Sequence, residues 1–139
     1  MKQRPDAGKK QSTLAAAFLA LVREEADAPA VKFLRADGSV FGMTRGELLQ
    51  AAVSFAGKLR ETVPPGGVVA LPLPTGPEFV CALYGCFLSG VAALPLPPAT
   101  RTNGNRLSAL LSRVRPDATV IKEKAETAWI GEQTGTFLT

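Results

Sequence analysis

A chain of 139 residues, 46% apolar and 20% charged, has the make-up of one globular domain, able to bury roughly two-thirds of its unfolded surface. The complete lack of histidine excludes a His-based catalytic triad and a His-ligated zinc site. The net charge of +4 is concentrated in residues 1–11, where Lys2, Arg4, Lys9 and Lys10 meet only Asp6. This Pro- and Gly-containing stretch reads as a disordered basic tail; a nucleic-acid surface would need its arginines and lysines on the folded part, interleaved with aromatics. No apolar core follows the N-terminal basic residues as a secretory signal would require, so the expected location is cytoplasmic.

The segment "STLAAAFLALVREEADAP" predicts a first helix, with Ser12 or Thr13 as N-cap and Leu14, Phe18, Leu21 and Val22 at helical spacing. Asp27 and Pro29 end it. "AVKFLRADGSVFGMT" predicts a hairpin turning on Asp37-Gly38. At "TRGE", Thr44 and Glu47 form a capping box, and Leu48, Leu49, Ala52, Phe55, Ala56 and Leu59 make one apolar stripe through residue 61. "VPPGG" breaks the helix. "VVALPL" then reads as a strand covered on both faces, and "PTGP" sets Pro77 at the start of the helix "EFVCALYGCFLS", which Gly90 stops. "VAALPL" reads as a second buried strand, "PPATRTNGN" as a loop, "RLSALLSRV" as an amphipathic helix and "DATVI" as a third strand. Two consecutive βαβ units follow, closing right-handedly into a parallel sheet. The expected fold class is α/β: an N-terminal hairpin and helices, then a βαβαβ parallel sheet, forming a partial subdomain.

Residues 76–98 are the most apolar stretch and carry one charge, Glu78. Gly90 and the prolines at 95, 97 and 98 cut it, leaving a helix of only about 18 Å, too short to span a membrane. It reads as a buried crossover. Cys81 and Cys86, five apart and so about 140° apart on that helix, suit neither a disulfide nor a shared metal and read as buried thiols.

The order of these segments resembles the N-terminal part of the adenylate-forming superfamily of acyl-CoA synthetases, peptide-synthetase adenylation domains and fatty acyl-AMP ligases. The residues that carry the resemblance are Glu47-Leu48, Pro65-Gly66 with Val68 to Leu71, Gly76 to Gly90, and Val91 to Pro98. Pro97-Pro98 followed by "ATRTNGNRLSALL" is most similar to fatty acyl-AMP ligases. The resemblance covers about residues 12–122, leaving 123–139 unassigned. It implies an enzyme that activates a carboxylic acid with ATP and Mg²⁺ as an acyl-adenylate. The family's phosphate loop, its acidic magnesium ligand and its late lysine, needed because charge builds on the departing pyrophosphate, have no counterpart here. "EQTGTFLT" has a Thr-Gly-Thr without a following lysine. The expectation is therefore a truncated piece that is inactive alone, needs no cofactor of its own, and holds no catalytic or metal-binding residue. The positions that would bind a cofactor are not identifiable.

Arg101, Arg106, Arg113 and Arg115 could meet a phosphate or a carrier protein, although an exposed basic face is the simpler reading. "PTGPEF" stands where doubly wound sheets bind anions but lacks spaced glycines. Tyr84 and Trp129 could line an acyl tunnel or simply pack. The expected partners are the remainder of the enzyme, a second copy through the open sheet edge, or an acyl carrier protein. An alternative function is a non-catalytic module that binds a full-length synthetase or that carrier.

Overall fold

The capping box at residues 44–47 forms as the sequence dictates: Glu47 N–H donates to Thr44 Oγ1 at 3.1 Å and Thr44 N–H to Glu47 Oε1 at 2.8 Å. It opens the longest helix of the computed structural model, which describes residues 13–121 and the strand at 136–138. In chain order the elements are α1 (Leu14–Glu24), β1 (Pro29–Leu34), β2 (Val40–Thr44), α2 (Arg45–Thr62), β3 (Val68–Leu71), α3 (Pro77–Ser89), β4 (Ala92–Pro95), α4 (Gly104–Val114), β5 (Ala118–Val120) and β6 (Thr136–Leu138). Strands β1 and β2 pair antiparallel as a hairpin. The other four form a parallel sheet in the order β4-β3-β5-β6. This is the mixed α/β fold expected from the sequence.

Strand β3 lies at the centre, and its side chains alternate between two apolar clusters. Val69 and Leu71 point to α2 and α3, where they meet Leu59, Ala82 and Cys86, while Ala70 meets Leu107 and Leu111 of α4. Strand β5 does the same, with Ala118 and Val120 on one side and the following Ile121 on the other. A strand covered on both faces needs an uninterrupted apolar run, and "VVALPL" supplies one. The helices α2 and α3 touch closely because Gly85 has no side chain: a Cβ there would stand 2.7 Å from Phe55 Cδ2 and 3.1 Å from the Ala52 carbonyl. Arg60 adds a bond of 3.5 Å to the Leu88 carbonyl. Where the chain enters β3, Asp117 accepts from Val68 N–H through Oδ2 at 2.8 Å and donates its own N–H to the Val68 carbonyl at 2.8 Å. That approach leaves no room for a side chain at Gly67, whose Cβ would be 2.6 Å from Asp117 Oδ2.

Several expectations need correction. The second sheet strand, read as buried, is an edge strand with exposed or half-buried positions throughout. Its run of apolar residues resembles that of β3, but no neighbour lies beyond it. In α1 the anticipated stripe reduces to Phe18, because Leu14 and Leu21 are exposed. Its N-cap is Thr13, whose Oγ1 accepts from Ala16 N–H. Cys81 is half-buried rather than buried; Cys86 is buried as expected. The tail beyond residue 122, to which the sequence assigned no element, contributes β6 beside β5. Helix α3, expected to need cover from outside, exposes no large apolar side chain, since α1, α2 and the sheet enclose it. Among the described residues, no helix is long and apolar enough to cross a membrane.

Candidate functional site

Parallel sheets bind ligands outside the carboxyl ends of their strands, where successive connections leave to opposite faces. Here β3 leads into α3 on one face, and β4 leads into α4 on the other. At the carboxyl ends of β3 and β5 lies a cavity of about 260 Å³. Leu73, Val120 and Ile121 form its floor, Phe55 comes from α2, and Glu78, Cys81 and Ala82 come from the first turns of α3. A wider hollow of about 490 Å³ lies across Leu73, between Pro74, Thr75 and Phe79 and the prolines 95, 97 and 98. Both are apolar in lining.

The first cavity contains one carboxylate and one thiol. Burial, and after it the Glu78 carboxylate, pushes the Cys81 thiol above its ordinary range. Burial alone pushes Cys86 up to about 11. Both stay protonated at neutral pH, so neither is a ready nucleophile. The arrangement can enclose an apolar group. It offers no paired acid and base.

The turn "PTGPEF" does not suit the phosphates of ATP. Pro77 occupies the first helical position and has no N–H, and Glu78 sets a negative charge in the first turn, where an anion would sit. Among the described residues, no group of three or more His, Cys, Asp or Glu side chains could hold a metal ion such as Mg²⁺. The residues present do not fit ATP or Mg²⁺, and no step of nucleotide chemistry is assigned to them.

The other residues singled out from the sequence are dispersed. Tyr84 packs edge-on against Phe18 at 4.8 Å and against Phe87 at 5.5 Å, which fixes it as the contact between α1 and α3. Trp129 lies outside the described residues. Arg101, Arg106, Arg113 and Arg115 are all exposed, on or beside α4 and away from the cavity. Sequence reasoning missed Phe55 and Leu73 as cavity-lining residues, since each reads as an ordinary core position. It also missed the loop before α4. There Thr100 N–H donates to Asn103 Oδ1 at 2.8 Å, Asn103 N–H donates to Thr100 Oγ1 at 3.2 Å, and Asn103 Nδ2 donates to the Pro98 carbonyl at 2.9 Å. A Thr and an Asn three apart were the available signal.

Residues 18–135 match the family described as AMP-binding enzyme. The chain belongs to the AMP-binding enzyme family. The fold agrees with that of adenylate-forming ligases: over 91% of this chain and 23% of the other, it superposes on the fatty acyl-adenylate ligase of L. pneumophila, solved with acyl adenylate and pyrophosphate, with a TM-score of 0.78 at 18% identity. The nonribosomal peptide synthetase FmoA3, in its α-methyl-L-serine-AMP bound form, gives a TM-score of 0.77 at 26% identity over 98% of this chain and 14% of that one. Pyochelin synthetase PchE of Pseudomonas aeruginosa is 45% identical over 64 residues, 42% of this chain. The chain spans 4% of that relative's length. The AMP-binding chain thus corresponds to the N-terminal part of a much longer catalytic body.

Proposed function

We propose that this chain forms the N-terminal wall of an enzyme that activates a carboxylic acid as its acyl-adenylate, and that the acid is of the kind handled by peptide synthetases. The 64-residue stretch at 45% identity to pyochelin synthetase supports this reading most. The FmoA3 structure, with an amino-acyl adenylate bound, adds to it at 26% identity. A second reading, activation of a fatty acid, draws on Pro97-Pro98 and the residues that follow them. TM-scores of 0.78 and 0.77 do not separate the two.

In either case the chain's contribution is architectural. The α2/α3 layer and α4 hold the carboxyl ends of β3 and β5 rigid, and the apolar cavity there lies beside whatever the rest of the enzyme builds on. With no phosphate-binding or metal-binding set of its own, the chain does not adenylate alone. Its main partner is the remainder of such an enzyme.

Self-association through the β4 edge is a weaker proposal. Ala92 N–H bonds to the Gly67 carbonyl and Leu96 N–H to the Leu71 carbonyl, so the donors of β4 that face away from the sheet fall at 93, 95 and 97. Two of those are Pro95 and Pro97, which have no N–H.

ATP–pyrophosphate exchange tests the function. The species that contains this sequence, purified from its source cells, is assayed with α-amino acids, aryl acids and long-chain fatty acids. Exchange with amino or aryl acids is expected, and none from the 139-residue chain alone. Exchange confined to fatty acids would replace the first reading by the second. No exchange with any acid would sink both.

A further inference from the structure

Helix α4 has two faces of opposite character. Leu107 and Leu111 are buried against Ala70, Ala99 and Ile121, and Gly104 is buried with them. At 100° per residue, the opposite face carries Arg106, Leu110, Arg113 and Val114 within about 100° of arc. Leu110 and Val114 are 39% and 40% exposed, unusual for branched apolar side chains one turn apart. Arg101 stands before the helix on the loop fixed by the Thr100–Asn103 bonds, and Arg115 follows it in the left-handed conformation, φ 53°. No acidic residue occurs between Arg101 and Arg115. Among the described residues, none of the four arginines makes an ion pair.

We propose that this face of α4 is a docking surface for an acidic amphipathic helix of a protein partner, with Leu110 and Val114 as the apolar seam and Arg106 and Arg113 as the charged rim. The occupant follows from charge complementarity. Four unopposed arginines call for carboxylates, and two apolar side chains between them call for a matching apolar stripe, as along a coiled-coil seam. A nucleic acid would want aromatic side chains to stack on, and this face has none. A membrane would want a wide apolar face, but the wide apolar face of α4 is already turned into the core. The rim is ordered in advance by the Thr100–Asn103 loop, which lowers the cost of binding. This inference does not depend on which acid the enzyme activates.

The test uses the full chain and a fluorescein-labelled, stapled synthetic helix with Leu and Glu on one face, followed by fluorescence anisotropy. Binding is expected to weaken as salt rises. R106E/R113E and L110S/V114S should each weaken it about tenfold. The control R23E/K32E, with the same change of net charge on α1 and the hairpin, should leave it within about twofold. A thermal melt by circular dichroism confirms that each variant is folded. The proposal fails if the labelled helix does not bind, or if the control reversal weakens binding as much as R106E/R113E. It also fails if a helix with Leu and Glu on opposite faces binds equally well. Preferential, Arg106- and Arg113-dependent binding to phosphatidylglycerol vesicles would overturn it in favour of a lipid surface.

Discussion

The parallel sheet and the N-terminal hairpin are built from similarly apolar sequence, yet they are held together differently. In the sheet, β3 is enclosed between α2/α3 and α4, and Val69, Ala70 and Leu71 have no exposed surface. In the hairpin, Leu34 is 78% exposed and Val40 is 59% exposed. What orders the hairpin is local. Asp37 Oδ1 accepts from Ser39 N–H at 2.8 Å and from Ser39 Oγ at 2.6 Å, Gly38 takes the left-handed conformation at φ 87°, and Phe33 stacks on Phe41 across the strands. The Arg35 guanidinium lies 5.1 Å from the centre of the Phe41 ring. A tight turn with cross-strand aromatics is enough to set a register. It does not need a core, and the exposed side chains are the consequence.

If that contrast is right, equal truncations should give unequal losses. Leu71→Ala removes a fully buried side chain from the central strand and should cost about 3 kcal/mol in urea unfolding, whereas Leu34→Ala should cost less than about 0.5 kcal/mol. Comparable losses would mean that the hairpin is buried in solution. Next in size is Gly85→Ala, which drives a Cβ into Phe55 and the Ala52 carbonyl and should cost about 1–3 kcal/mol. An unchanged midpoint would show that α2 and α3 can separate freely. Thr44→Ala, which removes one half of the capping box at the join between the two regions, should cost about 1 kcal/mol.

The smallest effect is on the cysteines. Because burial raises the folded pKa of Cys86 from 9.0 to about 11, the fold favours the neutral thiol. Its contribution is complete below the unfolded pKa and is lost as pH rises through about 11. Stability should therefore be level through neutral pH and decline only in strong alkali. Iodoacetamide followed by intact mass should show half-buried Cys81 alkylated before buried Cys86. The reverse order would place Cys86 near a surface.

Legibility in the sequence followed the range of the interaction concerned. The capping box, the Asp-Gly turn, Pro77 at the start of α3 and Gly90 at its end depend on residues a few positions apart, and each is found where its pattern placed it. The candidate cavity was not legible. Its lining comes from α2, α3 and the ends of β3 and β5, and none of Phe55, Leu73, Ala82 or Val120 differs in type from a plain core residue.

By itself, the sequence determined the kinds of element, their order, the parallel α/β class and the resemblance to adenylate-forming enzymes, because helix and strand periodicities and caps are short-range properties. Only the tertiary structure decided that "VVALPL" is the central strand and "VAALPL" the edge, that Cys81 faces a cavity while Cys86 is sealed, and that the α4 arginines surround an exposed apolar seam. The physical reason is the same in each case. Two segments of nearly identical composition are distinguished by what packs beside them, and that neighbour comes from a distant part of the chain.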